Sequence, residues 1–127
     1  MIQTRKTPSL IQTKSFEYAL KIIEASKYLQ NDKREYILSK QLIRSGTSIG
    51  ANIREALYAQ SKSDFINKLS ISLKEAKESQ YWIELLYKTN YLSKVKFDSL
   101  FFPNEELIKL LTSSINTAKR NVKTTNS

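Results

Sequence analysis

Apolar positions along this chain recur at helical spacing, and the clearest run lies in its second half. Phe65, Leu69, Ser72, Ala76, Ser79, Ile83 and Leu86 are separated by four, three, four, three, four and three residues. That is a seven-residue repeat, the pattern of a bundle or coiled-coil seam. It predicts a helix over about 63–88, opened by the capping sequence Ser61-Lys62-Ser63-Asp64. A second helix is expected over about 34–59, with Leu38, Leu42, Ser45, Ile49, Asn52, Ile53 and Ala56 on its core side. Upstream, a helix is expected over about 15–29 with Ser15 as its cap. It carries two apolar stripes, Phe16-Ala19-Leu20-Ile23 and Tyr18-Ile22-Ala25-Leu29, and ends at the polar break Gln30-Asn31-Asp32-Lys33. A fourth helix is expected over about 93–122, with Leu107, Leu111, Ser114, Ile115, Ala118 and Val122 as its stripe. Pro103 has no amide to donate, so a kink or restart is expected after Phe102. The intervening loops are short, which makes consecutive helices antiparallel. The expected fold is all-α, an antiparallel up-down-up-down four-helix bundle forming a single domain over 1–127, with 1–14 and 123–127 as flexible tails.

The chain has only two glycines, Gly46 and Gly50, and both fall inside the second helical pattern. A glycine within a helix costs about 1 kcal/mol relative to alanine. Spaced i, i+4, the two lie on one helix face. With Ser45, Ser48, Ala51 and Asn52 around them they form a smooth strip against which another backbone can pack. Gly46, Gly50 and Asn52 are therefore read as helix-packing residues. A phosphate-cradling loop is the weaker reading, because Gly50 is followed by Ala51-Asn52 and not by Lys-Ser/Thr.

Composition narrows the chemistry. The 127 residues contain no cysteine and no histidine. A disulfide is excluded, which favours a reducing compartment, and no metal or other cofactor is expected. The usual catalytic imidazole and thiol are missing. Glu75 and Glu78 lie i, i+3 on the third helix, and Glu55 is a possible third carboxylate from the second. Di-metal bundles add Glu-x-x-His motifs to such glutamates, and none exists here. Lys74-Glu75 and Lys77-Glu78 read as a charged helix face, and no catalytic residues are expected. Nothing approaches the length of an apolar membrane span, and no signal-peptide pattern opens the chain. A cytoplasmic protein without a membrane partner is expected.

Charge is the strongest functional cue. Twenty-one basic against twelve acidic residues give a formal charge of +9, a field that attracts polyanions. An antiparallel bundle sorts these charges by end. One end gathers Arg5, Lys6, Lys14, Arg54, Lys62, Lys119, Arg120 and Lys123 against Glu17, Glu55 and Asp64. The other carries Lys33, Arg34, Lys88, Lys94 and Lys96 against Asp32, Glu35, Glu84 and Asp98. The first end is the candidate phosphate-binding surface. Tyr28, Tyr36, Tyr58 and Tyr91 are candidates for stacking on unpaired bases, or else rim-packing residues. No RNP motif, zinc finger or helix-turn-helix is present, so recognition of backbone and shape is expected over base readout. Ile71, Tyr81, Trp82 and Leu85 lie away from the third helix's seam and are the expected subunit interface.

Two blocks resemble a known family. Residues 39–56, SKQLIRSGTSIGANIREA, resemble the signature of the bacterial four-helix bundle proteins encoded in intervening sequences of large-subunit ribosomal RNA. Asp64-Phe65, Leu69-Ser70-Ile71, Lys74-Glu75-Ala76 and Tyr81-Trp82-Ile83-Glu84-Leu85-Leu86 look like that family's third helix. The likeness extends from about 16 to 119. That family is also similar to the accessory variability protein of diversity-generating retroelements. The resemblance implies a ring-like homopentamer, a basic surface used with RNA or DNA and, in the retroelement branch, a reverse-transcriptase partner. The expectation is a non-enzymatic, homo-oligomeric nucleic-acid-binding protein. The alternative is an assembly scaffold for a protein such as a reverse transcriptase, touching nucleic acid only indirectly.

Overall fold

The computed structural model describes residues 9–126, with side chains from Ser9 to Asn121. Four helices form an all-α bundle: α1 (Leu10–Asn31), α2 (Leu38–Leu57), α3 (Lys62–Lys88) and α4 (Lys94–Asn126). Each packs on its two neighbours around the ring, with α1 on α4 the sparsest junction. Cross-helix contacts run in opposite residue order, which makes every neighbouring pair antiparallel. On α2 and α3, Ser45 meets Ser79 while Ile49 meets Ser72 and Glu55 meets Lys68.

The helix ends follow from identifiable hydrogen bonds. α1 starts earlier than the sequence pattern indicated. Ser9, not Ser15, is its cap and accepts from the Gln12 amide at 3.2 Å. Ser15 is buried within the helix and donates to the Gln12 carbonyl. Residues 10–14, expected as tail, are helical, and so is the backbone of 123–126. α2 starts later than expected because Arg34 adopts φ 56°, a left-handed conformation no α-helix contains. Buried Glu35 then caps the helix. Its Oε2 accepts from the amides of Ile37 and Leu38 at 3.2 and 2.9 Å, and its Oε1 from that of Ser39 at 2.7 Å. Ser61 caps α3 through the Asp64 amide at 3.0 Å. Ser93 caps α4 through the Lys96 amide at 3.2 Å.

α4 does not restart at Pro103 and runs through it without interruption. Proline removes the bond to the Ser99 carbonyl alone, and Ser99 is exposed, where water can replace it. Beyond Pro103 sits fully buried Asn104. Its Nδ2 donates to the Ala76 carbonyl at 2.9 Å and to the Tyr18 hydroxyl at 3.3 Å, while its Oδ1 accepts from Gln80 Nε2 at 3.1 Å. Three helices are thereby joined through one amide.

The core contains Leu69, Ser72, Ala76, Ser79, Ile83 and Leu86 of the predicted α3 seam, with Phe65 half-buried at its start. Serines allow α2 and α3 to approach. Ser72 Oγ donates to the Ile49 carbonyl and Ser79 Oγ to Ser45 Oγ, each at 2.8 Å. On α1, Tyr18, Ile22 and Leu29 are buried, whereas Phe16, Leu20 and Ile23 are 54%, 50% and 36% exposed. Half of the two-stripe pattern therefore faces outward.

Candidate nucleic-acid interface

The glycine strip meets α1. A Cβ added at Gly46 would lie 2.7 Å from Ile22 Cγ1 and 2.9 Å from Cγ2. One added at Gly50 would lie 3.2 Å from Ser15 Oγ. Asn52 is half-buried and donates to the Ser48 carbonyl of its own helix at 2.9 Å.

Topology brings the start of α1, the α2–α3 corner and the end of α4 to one end of the bundle. Two cations of that end have carboxylate partners: Lys14 Nζ lies 3.2 Å from Glu106, and Lys68 Nζ lies 2.9 Å from Glu55. The Lys68 amine is held more firmly protonated first by its hydrogen bond to Glu55, with Asp64 adding a smaller electrostatic contribution. Arg54, Lys62, Lys119 and Arg120 are exposed, and among the described residues none has a carboxylate within 4.0 Å. Arg120 donates to the Thr117 hydroxyl, at 3.4 Å. The side chains of Arg5, Lys6 and Lys123 lie outside the described residues.

Between the end of α2 and the start of α3 lies an open groove of about 710 Å³, lined by Arg54, Glu55, Tyr58, Gln60, Asp64 and Lys68. Tyr58 stands at its edge, 82% exposed. The other tyrosines considered for stacking differ. Tyr28 is half-buried and covered by the Lys96 ammonium 4.2 Å above its ring, and Tyr91 is half-buried. Tyr36 is exposed at the opposite end. There, Glu35 is occupied as a helix cap and Lys94 pairs with Asp98 at 3.0 Å.

The three carboxylates considered for catalysis do not converge. Arg44 of α2 bridges Glu75, at 3.3 Å, and Glu78, which also accepts from the Trp82 indole N–H at 3.1 Å. Glu55 sits lower on α2 with Lys68. The Arg44 guanidinium is stabilised in its charged form chiefly by Glu78. Of the expected interface residues, Tyr81 is exposed while Ile71, Trp82 and Leu85 are half-buried, with Trp82 packed against the core. The outward face of α1 escaped that expectation, because periodicity shows that two stripes exist but not that neighbouring helices cover only one. Among the described residues, no helix is long and apolar enough to cross a membrane.

Comparison with known proteins agrees with this architecture. No curated protein matches the chain. A solved structure similar to it is a protein of unknown function from the S23 ribosomal protein family of Bacteroides thetaiotaomicron VPI-5482. It is 50% identical, covers 84% of this chain and 96% of its own, and superposes with a TM-score of 0.83. The family described as 23S rRNA-intervening sequence protein matches residues 9–113. The chain, a four-helix bundle matched over most of its length, belongs to the 23S rRNA-intervening sequence protein family.

Proposed function

We propose that this protein is a non-enzymatic, homo-oligomeric nucleic-acid-binding protein that holds structured RNA, or an RNA–DNA intermediate, through the phosphates. The observation that carries the reading is the set of exposed cations at one end, Arg54, Lys62, Lys119 and Arg120, without carboxylate partners among the described residues. A cation already paired to a carboxylate loses that contact on meeting a phosphate, whereas an unpaired one only exchanges its counterions. Arg5, Lys6 and Lys123 belong to the same end by sequence and would extend the surface. Self-association repeats the surface within one particle and raises avidity. The uncovered apolar residues of α1, together with Tyr81, supply material for subunit contacts. The homopentamer and the cytoplasmic location remain part of this proposal.

The test is binding of labelled structured RNA at several salt concentrations. Direct phosphate binding gives a steep negative slope of log affinity against log salt. Replacing Lys119 and Arg120 with glutamate should weaken binding and reduce that slope by about one unit per lost phosphate contact. Unchanged affinity in a folded variant removes these residues from the interface. Absence of any low-salt binding favours the second reading, a scaffold for a protein partner such as a reverse transcriptase.

A further inference from the structure

We infer that the α2–α3 corner holds an unpaired nucleotide, its base stacked on Tyr58; this rests on the nucleic-acid reading above and names the part of the RNA that the basic end engages. Tyr58 is the most exposed large apolar side chain among the described residues, at 82%. The backbone beneath it is hydrogen-bonded to the last turn of α2. The Tyr58 amide donates to the Glu55 carbonyl and the Ala59 amide to that of Ala56, each at 3.1 Å. No aromatic or cationic side chain among the described residues packs on the ring, in contrast to Tyr28 beneath Lys96. A flat ring on a rigid corner, with only two rotatable side-chain bonds, offers a base a stacking surface at small entropic cost.

The surrounding charges suit a nucleotide. Arg54 lies one helical turn before Tyr58 and lines the same groove. Lys62 stands exposed at the start of α3. Glu55 is paired with Lys68, and among the described residues neither Arg54 nor Lys62 has a carboxylate within 4.0 Å, so both are left for phosphate. Gln60 adds an amide that can both donate to and accept from a base edge. Paired bases in an A-form helix are stacked on one another and cannot reach such a ring, so the corner selects loops, bulges and single strands.

The experiment compares a labelled oligouridylate single strand with a blunt RNA duplex of equal length, bound to the full chain at low salt, for wild type, Tyr58→Ala and Tyr58→Phe. Stacking contributions of the usual size predict that Tyr58→Ala weakens single-strand binding about tenfold or more. Duplex binding should stay within about twofold, and Tyr58→Phe should retain wild-type affinity because the ring face remains. If Tyr58→Ala binds the single strand as tightly as wild type while the salt-sensitive duplex binding persists, the stacking role is overturned and the phosphate surface stands. If wild type binds neither probe, both readings fall. A Tyr58→Ala chain that keeps its RNA affinity but changes its mass in solution would make the corner a subunit contact and overturn the inference.

Discussion

At the scale of single residues, Gly46 and Tyr18 make the most constrained claims. Gly46→Ala gains about 1 kcal/mol of helix propensity. It also forces a methyl group within 3.0 Å of three atoms of Ile22, a fully buried side chain with little room to move. Overpacking of this kind costs typically about 1–3 kcal/mol, so net destabilisation is expected. At Gly50 the neighbour is one serine hydroxyl at 3.2 Å, and Gly50→Ala should fall within about 0.5 kcal/mol of wild type. Urea unfolding midpoints of the two variants check this ranking. Tyr18 gives a pH dependence. Burial pushes its phenol above the ordinary value of 10.0, and the Asn104 hydrogen bond offsets only part of that shift. Because the folded value is raised, the stabilisation is complete below 10.0 and is lost as pH climbs toward the folded value. Wild type should therefore lose about 1.4 kcal/mol more per pH unit in that window than Tyr18→Phe, as read from unfolding curves at neutral and alkaline pH.

At the scale of elements, the cap of α2 decides where that helix begins. Glu35→Ala removes an acceptor shared by three amides and should cost about 2 kcal/mol, with increased hydrogen exchange confined first to residues 37–39. Glu35→Gln keeps the shape and one acceptor oxygen but loses the charge and the second acceptor, and should cost less than the alanine change. α3 was the most legible element, because its seven-residue repeat and its Ser61 cap are both written in side-chain type. The starts of α1 and α2 were not. Ser9 and Ser15 are equally good caps by composition, and the choice between them rests on tertiary burial of Ser15 against Gly50. Nor does the identity of Arg34 announce the left-handed φ that precedes the capping Glu35. Pro103 gave a true local signal whose consequence was small, since the bond it removes lies at an exposed turn. Of the candidate site, the placing of Arg54, Lys62, Lys119 and Arg120 at one end followed from topology alone. Which of them are already paired required Glu106 and Glu55 to be placed in space.

At the scale of the whole molecule, the uncovered face of α1 sets sequence pattern against burial. Four helices cover Tyr18, Ile22 and Leu29, while Leu10, Phe16 and Leu20 on the same helix stay at least half exposed. A second chain packing there would remove this surface from water, at about 25 cal/mol for each Å² of apolar area. Leu20→Glu should therefore lower the mass in solution measured by light scattering while leaving helix content unchanged. A mass equal to that of wild type would remove this face from the proposed subunit contact, with Tyr81 the next residue to change.

The amide of Asn104 has a consequence for descent as well as for folding. Because its donors and acceptor are divided among Tyr18, Ala76 and Gln80, no single replacement at 104 can satisfy all of them. A lineage that abandons this asparagine must pass through a poorly folding intermediate or change position 18 or 80 in step with it. Aligned relatives should accordingly fall into a few discrete residue combinations at 18, 80 and 104, with intermediate mixtures rare. Such a mixture, for example Asn104→Leu with Tyr18 and Gln80 retained, should show that cost as a measurable drop in melting temperature.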